Sequence, residues 1–177
     1  MARKIKSALL FAISVLACCY ALAAAPQLRV SKTVTIDASA SKVWKAVQDF
    51  NGLNTWHPAV ATDEIVEGTN NTVGAVRLLT LKGGGTIKEK LLAFNPASRT
   101  FKYAILEGVL PVSSYTSTVV VSSAGKGKST VTWSGRFKRK NVGDNPADNE
   151  NDKTATDTIG GVYQGGLDNL KKMLEAQ

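Results

Sequence analysis

The chain has 177 residues, a length that suits one domain with a single core. Its formal net charge is +8, but the basic residues are not interleaved with aromatic ones, so the composition argues against a nucleic-acid-binding protein. After residue 23 the chain has one histidine and no cysteine, too few for a catalytic metal site, and we predict neither a metal nor a cofactor.

The first 25 residues are typical of a secretory signal peptide. A basic segment at residues 3–6 precedes an apolar run over residues 7–17, and Ala21-Leu22-Ala23 forms an A-x-A cleavage motif. The apolar run is too short for a stable membrane span. We therefore predict a periplasmic protein whose residues 26–177 form one domain without a transmembrane segment.

A lipoprotein signal is the alternative, because Val15-Leu16-Ala17 stands before Cys18. Cleavage at the A-x-A motif would instead remove both Cys18 and Cys19, leaving no disulfide, thiol nucleophile or thiolate metal ligand. It would also lower the formal charge from +8 to +5, because three basic residues and no acidic residue are lost. A mildly basic exported protein could favour acidic partners or membrane surfaces, although solubility explains the charge better.

The domain is predicted to begin with a strand and two short helices. Apolar and polar residues alternate over residues 28–36, which indicates a strand. Asp37 or Ser39 then caps a helix with apolar residues at helical spacing. A second short helix is predicted over residues 53–57, and Pro58 is expected to end it.

Six further strands are predicted before a loop at residues 141–152. The first covers residues 60–66, and the others form three hairpins with turns at residues 83–85, 95–98 and 124–127. In all three hairpins the apolar residues fall on one face of the sheet and the polar residues on the solvent-facing side, as expected for an antiparallel sheet covered on one side. The predicted class is α+β, with a curved seven-stranded antiparallel sheet.

The turn positions predict the register of each hairpin. With the first turn centred on Gly84, Arg77 and Glu89 would face inward at diagonal positions. The second turn places Leu91 opposite Tyr103. The same inner face would also contain these residues: Ala75, Leu79, Leu81, Ile87, Ala93, Phe101, Ile105, Glu107, Tyr115, Val119, Val121, Val131, Trp133 and Phe137. Glu107 lies near a strand end and is expected to be solvated.

A long helix over residues 154–174 is predicted to complete the domain. Its apolar residues recur at intervals of three and four and form one stripe: Ile159, Val162, Tyr163, Leu167, Leu170, Met173 and Leu174. The helix also contains four glycines, each of which costs about 1 kcal/mol relative to alanine: Gly160, Gly161, Gly165 and Gly166. A helix that tolerates them is expected to lie close against the curved sheet.

Several short motifs follow one another between residues 28 and 174. They are Val43-Trp44-x-x-Val47, Gly52-x-x-x-Trp56-His57-Pro58, Gly74-x-x-Arg77, Glu89-x-Leu91, Leu110-Pro111-Val112-x-x-Tyr115 and Trp133-x-x-x-Phe137. In this order and spacing the chain resembles the START and Bet v 1-like (SRPBCC) superfamily, in its bacterial polyketide cyclase and lipid-transport branch. The resemblance implies a helix-grip fold, in which the sheet curls around the long C-terminal helix.

Together with the predicted signal peptide, these motifs resemble the exported accessory proteins of methanol oxidation. That resemblance implies a non-enzymatic role in supporting electron transfer from methanol dehydrogenase to a c-type cytochrome. These two proteins would then be the partners. Fold alone does not settle function, because the same fold serves many functions.

The alternative function is the carriage of an apolar small molecule or lipid in a cavity between the sheet and the last helix. The candidate lining residues are Trp56, His57, Arg77, Glu89, Phe101, Tyr103, Tyr115, Trp133 and Phe137. They line a pocket if the helix stands away from the sheet, and they fill an ordinary core if it does not.

Three of these residues admit two interpretations each. His57 could act as an acid or base at the cavity rim, or it could hold the turn before Pro58. Arg77 and Glu89 either form an internal ion pair or anchor a ligand head group. A cyclase-type enzyme would use these groups, but the sequence offers no nucleophile, base and orienting residue together. We therefore predict no catalytic residue and no enzymatic activity.

Overall fold

The computed structural model describes residues 25–176, so residues 1–24 of the predicted signal peptide lie outside the described part. The elements are β1 Leu28–Ile36, α1 Ala40–Val47, a 3-10 helix Leu53–Thr55, β2 Val60–Glu67, β3 Val76–Leu81, β4 Thr86–Asn95, β5 Thr100–Gly108, β6 Val112–Ser123, β7 Ser129–Arg139, a 3-10 helix Asp148–Glu150 and α2 Asp152–Glu175. The seven strands form one antiparallel sheet in the order β1-β7-β6-β5-β4-β3-β2. The predicted α+β helix-grip architecture is confirmed, and the second short helix is a three-residue 3-10 helix.

Helix α2 buries its apolar stripe against the inner face of the sheet. Its buried residues are Ala155, Ile159, Tyr163, Gly166, Leu167, Leu170 and Leu174. The side chain of Asn151 caps the helix by accepting a hydrogen bond from the amide of Thr154 at 2.8 Å. The predicted stripe therefore forms the central layer of the core.

The shorter helix α1 packs at one end of the same core. Of the two predicted caps, Ser39 is the one used, because its side chain accepts from the amide of Lys42 at 3.3 Å. The Trp44 ring then lies 5.9 Å from the Phe94 ring and 6.3 Å from the Phe101 ring. This aromatic contact joins α1 to β4 and β5.

The end of α2 also covers part of the free edge of β1. The Lys171 ammonium donates to the Thr35 carbonyl at 2.7 Å, and the Asp37 amide donates to the Glu175 carboxylate at 2.8 Å. Backbone groups on an edge strand otherwise invite pairing with another chain. The helix thus satisfies the last edge groups of the first strand.

The β3–β4 hairpin departs from the predicted register by two residues. Arg77 lies directly opposite Glu89, whereas a turn centred on Gly84 would have placed Leu79 there. A shift by an even number of residues keeps every side chain on its face. The predicted inner face of this hairpin is therefore correct as far as Leu91, but the diagonal arrangement of Arg77 and Glu89 is wrong.

Strand irregularities change which side chains face α2. In β4 the register shifts between Leu91 and Ala93, and Ala93 is exposed rather than inward-facing as predicted. Phe94 packs against the core beyond the bulge. In β2 a shift at residues 60–62 places Asp63 on the inner face, where it is buried. The predicted pairing of Leu91 with Tyr103 is present.

Candidate functional site

Arg77 is the centre of a buried charge cluster. Its Nε and Nη2 donate to Oε2 of Glu89 at 2.8 and 2.6 Å. Its Nη1 donates to Oδ2 of Asp63 at 3.2 Å and to the Phe50 carbonyl at 2.8 Å. The guanidinium also lies over the Phe50 ring, 4.2 Å from its centroid. Each of the three guanidinium nitrogens donates to a protein group, which favours the internal ion-pair interpretation.

Asp63 is the member of this cluster that the sequence analysis missed. Its Oδ2 accepts from the Leu53 amide at 2.9 Å, while its buried Oδ1 has no hydrogen-bond partner within residues 25–176. Burial raises the pKa of Asp63 and of Glu89, and the charge of Arg77 opposes that effect at both groups. The single charge of Arg77 cannot neutralise both carboxylates, so protonation of one carboxylate removes the excess negative charge of the cluster.

His57 connects the loop after α1 to α2 through hydrogen bonds of its imidazole ring. Its Nδ1 lies 3.2 Å from the Ala59 amide, which can only donate, so Nε2 carries the proton and donates to the Val162 carbonyl at 2.9 Å. Burial lowers the pKa of His57 and keeps the ring neutral. Because both ring nitrogens are bonded to the backbone, the geometry favours the turn-holding interpretation over acid or base chemistry.

The approach of His57 to α2 requires a glycine. A Cβ atom on Gly166 would lie 2.5 Å from Cδ2 of His57 and 3.0 Å from the Trp133 ring. At Gly161 and Gly165, by contrast, a Cβ atom would meet nothing within 4 Å. Only part of the glycine content of the helix therefore serves close packing.

A chain of buried hydroxyl groups joins the sheet to α2. Nε1 of Trp133 lies 3.0 Å from the Tyr103 hydroxyl and 3.0 Å from the Ser117 hydroxyl. Ser117 lies 2.9 Å from the Tyr163 hydroxyl, which is also hydrogen-bonded to the Tyr115 hydroxyl. Burial raises the pKa of all three tyrosines. The polar atoms of these aromatic side chains are satisfied within the protein itself.

A small apolar cavity remains between the sheet and the loop that carries His57. Its volume is about 70 Å³, and part of its aliphatic wall comes from Leu79 and Leu81 of β3, Ile87 of β4 and Ile105 of β5. Small-molecule sites usually have roughly 300–1,000 Å³. The cavity in this conformation therefore has room for a few water molecules, and not for a lipid chain.

The structure divides the predicted cavity residues into two groups. The cavity is reached by His57, Glu89, Tyr103, Tyr115 and Trp133. The other predicted residues are buried elsewhere in the core and do not line it: Trp56, Arg77, Phe101 and Phe137. Helix α2 thus rests on the aromatic inner face and leaves only a remnant of the predicted pocket.

Within residues 25–176, no group of three or more His, Cys, Asp or Glu side chains is arranged to hold a metal ion. None of the helices in that range is long and apolar enough to cross a membrane.

Residues 27–175 match the family model described as polyketide cyclase/dehydrase and lipid transport. An uncharacterized protein from Bacillus thuringiensis is 30% identical, with a TM-score of 0.73 over 83% of this chain and 98% of that chain. The protein XoxI from Bacillus cereus is 31% identical, with a TM-score of 0.72 over 82% and 94%. Ara h 8.0201 shares the fold at 23% identity, with a TM-score of 0.67 over 86% and 100%. The comparison with curated proteins found no significant match.

Proposed function

The chain belongs to the polyketide cyclase/dehydrase and lipid-transport family, and we propose one role for it within that family. The proposed role is that of an exported, non-enzymatic accessory protein of the MxaD type. It would support electron transfer from methanol dehydrogenase to a c-type cytochrome in the periplasm. This role needs a protein surface rather than an internal substrate site.

The filled interior is the observation that supports a surface-acting protein. The cavity of about 70 Å³ is too small for a polyketide or a lipid, and Arg77 is bonded to Glu89 and Ser117 to Tyr163 within the core. His57 has no free ring nitrogen with which to move a proton. The assignment to methanol oxidation is supported separately, by the sequence motifs and the predicted signal peptide.

A reconstituted reaction tests this role directly. Purified methanol dehydrogenase should reduce its c-type cytochrome faster when the protein is added in equimolar amount. An unrelated basic protein of similar size is the control for a general charge effect. An unchanged rate, together with failure of a tagged chain to retain either partner from the periplasm, would contradict the proposed role.

A second candidate function is the carriage of a small apolar molecule. It is favoured by the apolar lining of the cavity, in which Glu89 and Tyr103 are among the few polar groups. Binding would require α2 or the His57 loop to move outward. Native mass spectrometry with fatty acids and quinones should then show a bound species, and Val60→Phe, which fills the cavity, should abolish it. A clean apo mass under all conditions would refute the carrier function.

A further inference from the structure

A second concavity lies on the opposite side of the sheet, away from α2. It is an open groove of about 670 Å³ across β1, β7, β6 and β5, lined by cationic and hydroxyl side chains that include Arg29, Lys102, Arg136, Thr116, Thr118 and Ser134. The three cations are exposed, and no acidic residue is among those that line the groove. This face is chemically different from the filled inner face.

The strand register brings the groove cations together. Arg29 lies directly opposite Arg136, and Arg136 lies opposite Thr116. In the neighbouring row, Lys102 lies opposite Thr118. Like charges placed directly opposite each other destabilise a sheet. The pairing of Arg29 with Arg136 is therefore unfavourable for the sheet unless an anion lies between the two guanidinium groups.

None of these three cations forms a salt bridge with another described residue of the chain. The row that contains Arg136 continues through Thr116 and Ala104 to Lys90, which is also exposed and lacks a salt bridge in the described range. With strands about 4.8 Å apart, the row from Arg29 to Lys90 spans roughly 19 Å. The groove thus presents an uncompensated positive stripe with hydroxyl groups beside it.

We propose that this groove docks an acidic segment of a protein partner. Paired guanidinium groups bind carboxylates in bidentate fashion, and the neighbouring hydroxyl groups complete the hydrogen bonds of a polypeptide. None of the lining residues is aromatic, so the groove has no platform for stacking nucleobases. Among the lining residues Val30 alone carries an apolar side chain, which is too little to enter a bilayer and favours a protruding peptide over a membrane surface.

This inference rests on the proposed function for the existence of a protein partner, and it adds where that partner binds. The test therefore uses a probe that is independent of methanol oxidation. A labelled glutamate-rich dodecapeptide is titrated onto the whole mature chain at low ionic strength, with a glutamine-rich peptide of equal length as the neutral probe. Phosphatidylglycerol vesicles serve as the membrane probe.

The decisive comparison is between two double variants that lose the same charge. Arg29→Gln with Arg136→Gln removes the centre of the groove, whereas Lys82→Gln with Lys126→Gln removes two exposed turn cations outside it. The first variant should weaken binding of the acidic peptide by about tenfold or more, and the second by less than about twofold. Because all four side chains are exposed, unchanged thermal melting serves as the check on folding.

Three results would overturn the proposal. They are equal losses in the two double variants, absence of acidic-peptide binding, and groove-dependent binding to vesicles but not to peptide. If the peptide fails to bind while methanol dehydrogenase or its cytochrome is still captured, the docking groove is wrong and the accessory role stands. Groove-dependent peptide binding without either partner would support the groove and contradict the accessory role.

Discussion

Arg77 is held by four hydrogen bonds to three different residues, so its loss should be costly. Replacing Arg77 by Ala would leave Asp63 and Glu89 in an apolar interior without a cation. The free energy of unfolding should fall by about 3–5 kcal/mol, the usual effect of breaking a buried ion pair. Chemical denaturation measures this change.

Neutral substitutions at the same sites provide the control. In the triple variant Arg77→Met, Asp63→Asn and Glu89→Gln, no charge is left unpaired, so much of the lost stability should return. Asp63→Asn alone removes the second negative charge of the cluster and keeps a side-chain oxygen that can accept a hydrogen bond. It should change stability by less than about 1.5 kcal/mol. A loss below about 1 kcal/mol for Arg77→Ala would match an exposed pair and would contradict the buried cluster.

His57 predicts a dependence of stability on acid. Burial lowers the pKa of His57 below its ordinary value of 6.5, so below that pH the unfolded chain binds a proton that the folded chain does not. Stability contributed by the neutral ring is therefore present above pH 6.5 and is lost as the pH falls towards the lower folded-state pKa. Denaturation between pH 7 and pH 5 should show the decline.

A His57→Gln variant isolates this contribution, since His57 is the only histidine of the chain. The variant should be less stable at pH 7 because it loses contacts to Val162 and Ala59. Its stability should nevertheless change less steeply between pH 7 and pH 5. Parallel slopes for both proteins would show that His57 titrates normally when folded.

Among the elements, α2 offers a matched pair of glycines. Gly161→Ala adds a methyl group in open space and should stabilise the helix by up to about 1 kcal/mol. Gly166→Ala places the same group against His57 and Trp133, so it should destabilise the domain despite the same gain in helix propensity. Thermal melting of the two variants measures the difference. Equal shifts would mean that the helix does not approach the loop so closely.

The elements themselves could be predicted because they depend on periodicity. Strand β1 and helix α2 each show a sustained pattern of period 2 or 3.6. The register of the β3–β4 hairpin could not be predicted, because a run of three glycines offers several equivalent turn centres. The choice is made by contacts across the strands, above all by the pairing of Arg77 with Glu89.

The site was predictable only in part, and Asp63 shows why. Simple alternation along β2 from Val60 would point Asp63 into solvent, and the irregularity that turns it inward has no sequence marker. The cavity volume was also beyond prediction. It depends on how closely α2 approaches the sheet, which is set by contacts such as the stacking of Trp133 on Tyr163 at 4.6 Å between ring centroids.

For the molecule as a whole, the buried tyrosines predict loss of stability in alkali. Burial raises the pKa values of Tyr103, Tyr115 and Tyr163 above the ordinary 10.0, so above pH 10 the unfolded chain releases protons that the folded chain retains. The stability contributed by the protonated tyrosines is therefore fully present below pH 10 and is lost as the pH rises beyond it. Tyrosinate absorbance should appear together with loss of the folded circular dichroism signal. Tyrosinate formation in the folded protein would refute the network.

The pairing of β1 with β7 has a consequence for the time course of folding. Thr33 meets Thr132 across a separation of 99 residues, and Asp37 meets Glu175 across 138. Contacts between residues so far apart in the sequence close long loops, and folds that depend on them form slowly, on the scale of milliseconds to seconds. During synthesis β1 cannot pair with β7 until most of the chain has emerged from the ribosome. The topology itself therefore delays the native state until the last helix has been made.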